Sequence, residues 1–243
     1  MGEAFFWGIV ASSSLILGGV VAHRVRVSRR ILGLVMGFGA GVLISAVAYE
    51  LVQEAVETSA GSGGVALGLL AGCGTFFLGD TLIDRMGGGE RKSSGGEQAG
   101  GSALAIVLGI VLDGIPESVV LGLTVLEAGT VSAAFLAAVL LSNLPEAIAA
   151  STGLAAAGWT QTRVLRLWGL VTLVCGVAAL AGYALFDTAS PRTVAFVLAF
   201  AGGAILTMLA DTMMPEAYEH GGKLVGVFTT LGFALAFAIS ALE

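Results

Sequence analysis

The amino-acid sequence predicts an all-α polytopic membrane protein with eight transmembrane helices. Hydrophobic residues make up 56% of the 243 positions and charged residues only 12%, and the mean hydropathy is +0.96. A soluble domain carries about 25% charged residues. The apolar residues are also spread along the whole chain in stretches of about 20 residues, which is the length that crosses a bilayer core as a helix. Together these observations exclude an ordinary soluble domain.

Eight apolar stretches meet this length, and we expect them to form a single transmembrane domain over residues 1–243. Their approximate bounds are 4–22, 31–52, 63–83, 102–125, 131–155, 167–186, 193–214 and 224–242. The longest connection, 85–101, is rich in glycine, serine and charged residues, which is typical of a flexible loop. The acidic start MGEAFF lacks the basic region of a cleaved signal peptide, so the first stretch is expected to stay as a span.

The basic residues predict the orientation of these helices. Ten of the 11 Lys and Arg residues lie in the connections after the odd-numbered helices, and Arg192 alone lies on the other side. Because connections rich in Lys and Arg stay in the cytoplasm, we expect both termini outside it and the loop 85–101 inside it. The expected location is the cell membrane, inner or plasma, with the lipid bilayer around the helices. The basic residues then act as orientation signals, and no nucleic-acid partner is expected.

The two cysteines are expected to be packing residues. Cys73 and Cys175 fall inside apolar runs and do not form a pair with the spacing of a metal motif.

Two motifs place acids and prolines in the middle of apolar helices. LDGIPES lies in the fourth helix and LSNLPEA in the fifth. Asp113 and Glu117 are four residues apart and share one helical face, while Glu146 belongs to the facing helix. Pro116 and Pro145 each free a backbone carbonyl one turn earlier. Since carboxylates close together in low dielectric need a cation or bound protons, the motifs predict a divalent-cation site at mid-membrane.

Further acids near helix ends predict an acidic route to and from this site. Glu50 and Glu54 lie near the outer end of the second helix, and Asp211, Glu216 and His220 lie near the inner end of the seventh. Each of these side chains can also reach the membrane surface by extending along its helix. A role in transport and an interfacial role are therefore both open for each of them.

Similar segments in helices of opposite direction predict inverted repeats in a 3+2+3 arrangement. FGAGVLISAVAYELVQEA begins at Phe38 in the second helix and FAGGAILTMLADTMMPEA at Phe200 in the seventh, and they share Phe, Gly, Ala, Glu and Ala at equivalent places. The two proline motifs form a second such pair. Inverted repeats around a site at mid-membrane are typical of transporters.

At these residues the chain resembles the ZIP (Zrt-, Irt-like protein) family of divalent metal transporters. That family has eight transmembrane helices with both termini outside, and its fourth helix carries His-Asn-x-Pro-Glu-Gly with a related motif in the fifth. Here DGIPES and SNLPEA occupy those places, and ELVQEA and TMMPEA echo the Leu-Pro-Glu-Ala-like ends of helices two and seven. The resemblance runs from the second helix onward and implies a histidine-poor member of bacterial or archaeal type.

The resemblance implies a primary metal site made of oxygen ligands. Glu117 and Glu146 match the two motif glutamates, whereas Asp113 stands where the family has a histidine and Gly114 where it has an asparagine. Carboxylates suit harder ions such as manganese or magnesium, while nitrogen and sulfur ligands suit zinc. Strict zinc selectivity is therefore not expected, and zinc, manganese, iron and cadmium all stay open.

A neighbouring second metal site of the family is expected to be largely lost. Ser142 replaces its histidine or glutamine, Asn143 replaces its acid, and Thr172 stands near the place of a glutamate in helix six. Ser142, Asn143 and Thr172 therefore enter the list of candidate ligands.

The resemblance implies transport of a divalent cation by alternating access, with helices four and five moving against the rest. The metal is then a substrate, no prosthetic group is expected, the protein is not an enzyme, and it forms a homodimer. A transport-inactive relative acting as a metal sensor or scaffold stays open, because the motif histidines are missing. An intramembrane hydrolase using Asp80 and Asp113 is a third interpretation, although FLGD and VLDG match neither aspartyl-protease motif.

Overall fold

The computed structural model describes residues 1–25, 27–59, 63–89 and 103–242. Within these ranges the chain forms eight helices, α1 Gly2–Arg24, α2 Arg29–Thr58, α3 Gly64–Arg85, α4 Ala103–Ala128, α5 Ala133–Ala156, α6 Gln161–Phe186, α7 Pro191–Gly221 and α8 Leu224–Ser240. Seven of them are long and apolar enough to cross a membrane, and α8 is an apolar helix of 17 residues. The prediction of an all-α polytopic membrane protein is confirmed.

Two helices extend beyond the apolar stretches from which they were predicted. Helix α2 continues to Thr58 and α7 to Gly221, each beyond its predicted apolar stretch, because the polar residues that follow stay helical. Arg26, and the part of the predicted flexible loop from 90 to 101 with its Arg91 and Lys92, lie outside the described residues.

Hydroxyl side chains define where four helices begin. Each accepts a hydrogen bond from the backbone N–H three residues later, and the residues that do so are Ser28 before α2, Ser132 before α5, Thr160 before α6 and Ser190 before α7. Such caps satisfy backbone donors that have no partner inside the helix. Gly222, with φ of 63°, ends α7 and turns the chain directly into α8.

Helices α2 and α7 share an unusual backbone feature. A π-helical segment covers Val47–Gln53 in α2 and Leu209–Met213 in α7. Both segments begin nine positions after the phenylalanine that opens the similar stretches, Phe38 and Phe200. π-Helical turns are rare and often lie near functional sites.

The same close packing joins α2 to α8 and α3 to α7. In both pairs, two glycines lie so close to the neighbouring backbone that a Cβ would overlap a carbonyl oxygen. The four contacts are Gly41 with Thr229, Gly232 with Phe38, Gly203 with Leu69 and Gly72 with Phe200. Within each helix the two contacting residues are three positions apart: Phe38 and Gly41 in α2, Phe200 and Gly203 in α7, Thr229 and Gly232 in α8, and Leu69 and Gly72 in α3. The two helix pairs therefore pack with the same spacing.

The remaining four helices surround the two proline motifs. Helix α1 packs on α5 and α6, and α4 packs on α6. Pro116 and Pro145 both lie inside continuous helices. The motif acids Asp113, Glu117 and Glu146 are buried between these helices.

Candidate metal site

Five helices enclose one small cavity around the motif acids, called the central cavity below. Its polar lining consists of Asp113, Gly114 and Glu117 from α4 and Asn143 and Glu146 from α5. Apolar and sulfur-bearing side chains from α1, α4, α5, α6 and α7 complete it: Leu15, Ile110, Ala150, Trp168, Val171, Cys175 and Met208. Its volume is about 20 Å³, and roughly 10–15 Å³ holds one water molecule. The cavity is therefore the size of a single small occupant.

Helical periodicity explains why these side chains meet. Asp113 and Glu117 lie one turn apart on the cavity face of α4, and Asn143 and Glu146 lie three residues apart on that of α5. These four side chains are between 3% and 9% exposed. The structure thus brings four of the six candidate metal ligands to one buried place.

The carboxylates do not form a preassembled three-ligand set. Within the described ranges, no three His, Cys, Asp or Glu side chains come close enough together to hold a metal ion. Asp113, Glu117 and Glu146 each have an interaction partner within the protein. Metal binding at this cavity would therefore require side-chain rearrangement around the ion.

Asn143 differs from the carboxylates around it. It is 7% exposed and lines the cavity, yet in the part of the chain that the structure describes its side chain has no hydrogen-bond partner. Because it lines the cavity, the Asn143 amide can contact an occupant there.

Two further candidate ligands are directed elsewhere. The Ser142 hydroxyl donates to the carbonyl of Val139 at 3.2 Å, and the Thr172 hydroxyl donates to the carbonyl of Ser12 at 3.1 Å. Both residues are buried, but neither lines the central cavity. Thr172 instead links α6 to α1.

The carbonyls that the prolines free are also outside the cavity. Neither Leu112 nor Leu141 belongs to its lining. The Leu141 carbonyl oxygen faces Gly39 of α2 instead, 3.2 Å from where a Cβ would stand there. The backbone oxygens expected at the site are therefore not part of it in this structure.

The two sulfur-bearing residues of the cavity were not among the site residues predicted from the sequence. Cys175 was expected only to pack, but it lines the cavity beside the α4 acids, and Met208 lines it from α7. The available signal was the spacing of Trp168, Val171 and Cys175, which places all three on one face of α6. Nothing in the sequence showed that this face turns towards α4.

A second, larger opening lies at one end of the bundle and is called the vestibule below. Its volume is about 640 Å³. It is lined by three acids, Glu50, Glu54 and Glu127, together with Tyr49, Thr124, Thr130, Val131, Ser132, Leu198 and Ser240. The two acids predicted to form the outer end of a route thus share one opening, and Glu127 joins them from the end of α4.

Glu50 also connects three helices at the vestibule. Its carboxylate accepts hydrogen bonds from Ser132 at the start of α5, at 2.9 Å, and from Ser240 at the end of α8, at 2.6 Å. Glu54 accepts from Thr58 of its own helix at 3.1 Å and is exposed. Glu50 therefore has a structural role in addition to any role in transport.

An apolar layer separates the vestibule from the central cavity. Glu117 in the cavity and Thr124 in the vestibule lie on one face of α4, about 10 Å apart along the helix. The positions between the two openings on the facing sides of α4 and α5 are at most 2% exposed, and they are Leu121, Phe135 and Val139. The cavity is therefore closed towards the vestibule.

The residues predicted to form the inner end of the route lie in two separate places. Glu216 and His220 form a contact of 3.2 Å, with side chains 13% and 10% exposed, at the end of α7. Asp211 is exposed and lines an apolar groove between α3 and α7 that also contains Cys73. The structure does not bring Asp211 to the central cavity or to the vestibule.

Comparison with known proteins finds a partial similarity to one curated protein. No protein-family model matches the chain. Over 98 residues the chain is 32% identical to the protein named Zinc transporter ZIP11 from Homo sapiens. Part of this chain resembles a ZIP-type zinc transporter. The match covers 37% of this chain and 28% of the length of the human protein.

Together, the seven membrane-length helices and this partial similarity support a multi-pass membrane protein, part of which is similar to a ZIP-type zinc transporter.

Proposed function

We propose that the protein carries a divalent metal cation across the membrane and binds it in the central cavity. One observation carries this proposal: Asp113, Glu117, Asn143 and Glu146 line a single buried cavity large enough for one small occupant. Three carboxylates in a place of low dielectric favour a cation there, because a positive charge offsets their mutual repulsion. The human relative's name, a zinc transporter, supports the same class of substrate.

The expected cargo is zinc or another first-row metal such as manganese or iron, with cadmium as a surrogate. The ion is a substrate that passes through, and no resident cofactor is part of the proposal. Hydrolysis is disfavoured, because Asp80 does not line the cavity that contains Asp113. The partial similarity to a transporter also favours transport over hydrolysis.

We propose alternating access around an inverted repeat that relates α1–α3 to α6–α8 and α4 to α5. Two features support this relation: the π-helical segments of α2 and α7 begin at equivalent positions, and the glycine contacts of α2 with α8 correspond to those of α7 with α3. A vestibule at one end and a closed cavity below it fit one of the two states that such repeats exchange.

The proposal also includes the orientation of the protein in the membrane, the exit side of the route and the oligomeric state. The distribution of basic residues supports an orientation with both termini and the vestibule outside the cytoplasm of a cell membrane. Glu216 and His220 would then lie on the exit side. The family resemblance adds a homodimer, which cross-linking in native membranes would check.

The test is a metal panel on the full-length protein reconstituted in vesicles. We expect inward flux of at least one ion among Zn²⁺, Mn²⁺, Fe²⁺ and Cd²⁺, and at least about a tenfold loss of that flux in Glu146→Gln, since a charged ligand is removed. Glu3→Gln is the matched control, because Glu3 is an exposed acid at the start of α1, far from the lining residues.

Wild-type protein that moves none of these ions would contradict the proposal. If such protein still bound metal through Glu146, the sensor or scaffold interpretation would replace it.

A further inference from the structure

The thiol of Cys175 lies at the surface of the central cavity, next to the backbone of α4. Cys175 is 2% exposed, and its Sγ atom is 3.9 Å from the carbonyl oxygen of Gly114. Gly114 sits between the two cavity-lining acids of α4, Asp113 and Glu117. The sulfur atom is therefore adjacent to the carboxylate-bearing face.

The missing side chain at position 114 makes room for this sulfur. A Cβ at Gly114 would stand only 3.1 Å from the Cys175 Sγ atom, which is tighter than an ordinary contact. Any larger side chain there would fill the space between the thiol and the acids. Glycine thus leaves the thiol in contact with the same small volume that the carboxylates line.

The cavity lining also includes the side-chain amide of Asn143. The Asn143 amide is more than nine-tenths buried, lines the cavity, and is without a hydrogen-bond partner among the described residues. Its amide oxygen is an ordinary metal ligand. The thioether of Met208 provides a second sulfur on the α7 side. The lining therefore combines carboxylate, amide and sulfur donors.

We propose that Cys175 binds the metal as a thiolate in the central cavity and makes the site prefer zinc and cadmium over manganese and magnesium. This inference rests on the proposed function and names its class of substrate. Binding forms one sulfur–metal bond and releases the thiol proton to water. Thiolates favour soft or borderline ions such as Zn²⁺ and Cd²⁺, whereas sites made only of oxygen suit Mn²⁺ and Mg²⁺. The sulfur donor thus reverses the preference expected from the acids alone.

Cadmium binding to the purified full-length protein tests the ligand directly. A cadmium–thiolate bond produces a charge-transfer absorption band in the ultraviolet. We expect wild-type protein to develop this band on titration with Cd²⁺. Cys73→Ser should keep it, since Cys73 is an exposed residue of α3 outside the cavity. Cys175→Ser should lose it, and Cys175→Ala provides a second variant if the serine hydroxyl disturbs packing.

Flux measurements then test selectivity separately from transport itself. The ratio of Zn²⁺ to Mn²⁺ flux should fall about tenfold in Cys175→Ser and stay unchanged in Cys73→Ser. A band that persists in both Cys175 variants, or an unchanged flux ratio, would overturn the assignment while leaving transport intact. Conversely, a band that depends on Cys175 in a protein without any metal flux would support the ligand and remove the proposed function.

Discussion

The central cavity and the vestibule each contain three carboxylates, but they differ in volume and in their other donors. The cavity measures about 20 Å³ and adds an amide and two sulfur atoms to its acids. The vestibule measures about 640 Å³ and adds hydroxyl groups from serine, threonine and tyrosine. The difference indicates that the number of acids alone does not define a binding site. We propose that the enclosed cavity selects the ion by its donor types, whereas the open vestibule only attracts it.

The physical basis of this contrast is the dielectric around each set of charges. Two unit charges 4 Å apart interact by about 1 kcal/mol in water and about 4 kcal/mol at an effective dielectric of 20. Acids in a wide aqueous opening are also screened by salt. We therefore expect substitutions in the cavity to reduce transport strongly and substitutions in the vestibule to change mainly how efficiently ions arrive.

The largest effect is expected for Glu117→Gln. This change keeps the shape of a side chain that is 3% exposed but removes its charge from the cavity. Flux should fall at least about tenfold at saturating metal, equivalent to ~1.4 kcal/mol. Vesicle flux assays with equal amounts of reconstituted protein measure it. Near wild-type flux would show that the cavity is not the transport site. The expected difference between substitutions in the cavity and in the vestibule would then be wrong.

An intermediate effect is expected for Asn143→Ala. The change removes a neutral ligand that has no partner within the described ranges, so nothing else in the protein depends on it for a hydrogen bond. Metal affinity should fall about fivefold, the equivalent of ~1 kcal/mol, with little change in thermal stability. Calorimetric titration of the purified protein measures the affinity. A large loss of stability with unchanged affinity would assign Asn143 to packing.

The smallest effects are expected in the vestibule. Glu50→Gln should raise KM about two- to threefold at low salt, as expected for one partly solvated charge, and the effect should fade with added salt. Glu54→Gln should change KM less, because Glu54 is more exposed. Flux measured across a series of ionic strengths tests both variants. A loss of maximal rate in Glu50→Gln that does not change with salt concentration would instead be caused by weaker hydrogen bonds to Ser132 and Ser240.

Local patterns predicted most of the polar cavity lining. Asp113 and Glu117 share a face because they are four residues apart, and Asn143 and Glu146 follow the same rule on α5. Periodicity within one helix is enough for such statements. Ser142 became a candidate through the family resemblance, yet its hydroxyl bonds to its own helix.

Contacts between distant helices could not be predicted in this way. Cys175 is more than 55 residues from either α4 acid, and its position depends on how α6 rotates against α4 and on the space that Gly114 leaves. Glu127 meets Glu54 in the vestibule only because α2 and α4 end on the same side of the bundle. No periodic signal within a helix carries that information.

Composition and hydrophobic stretches alone were sufficient to establish a polytopic helical membrane protein, because a bilayer accepts little else from a chain with so few charges. The spacing of the acids placed Asp113 and Glu117 on one helical face in the same way. The donor set of the cavity depended on packing, because glycine contacts and helix rotation decide which side chains meet. That packing added the sulfur of Cys175, and with it the proposed preference for zinc and cadmium, which the acids alone would not predict.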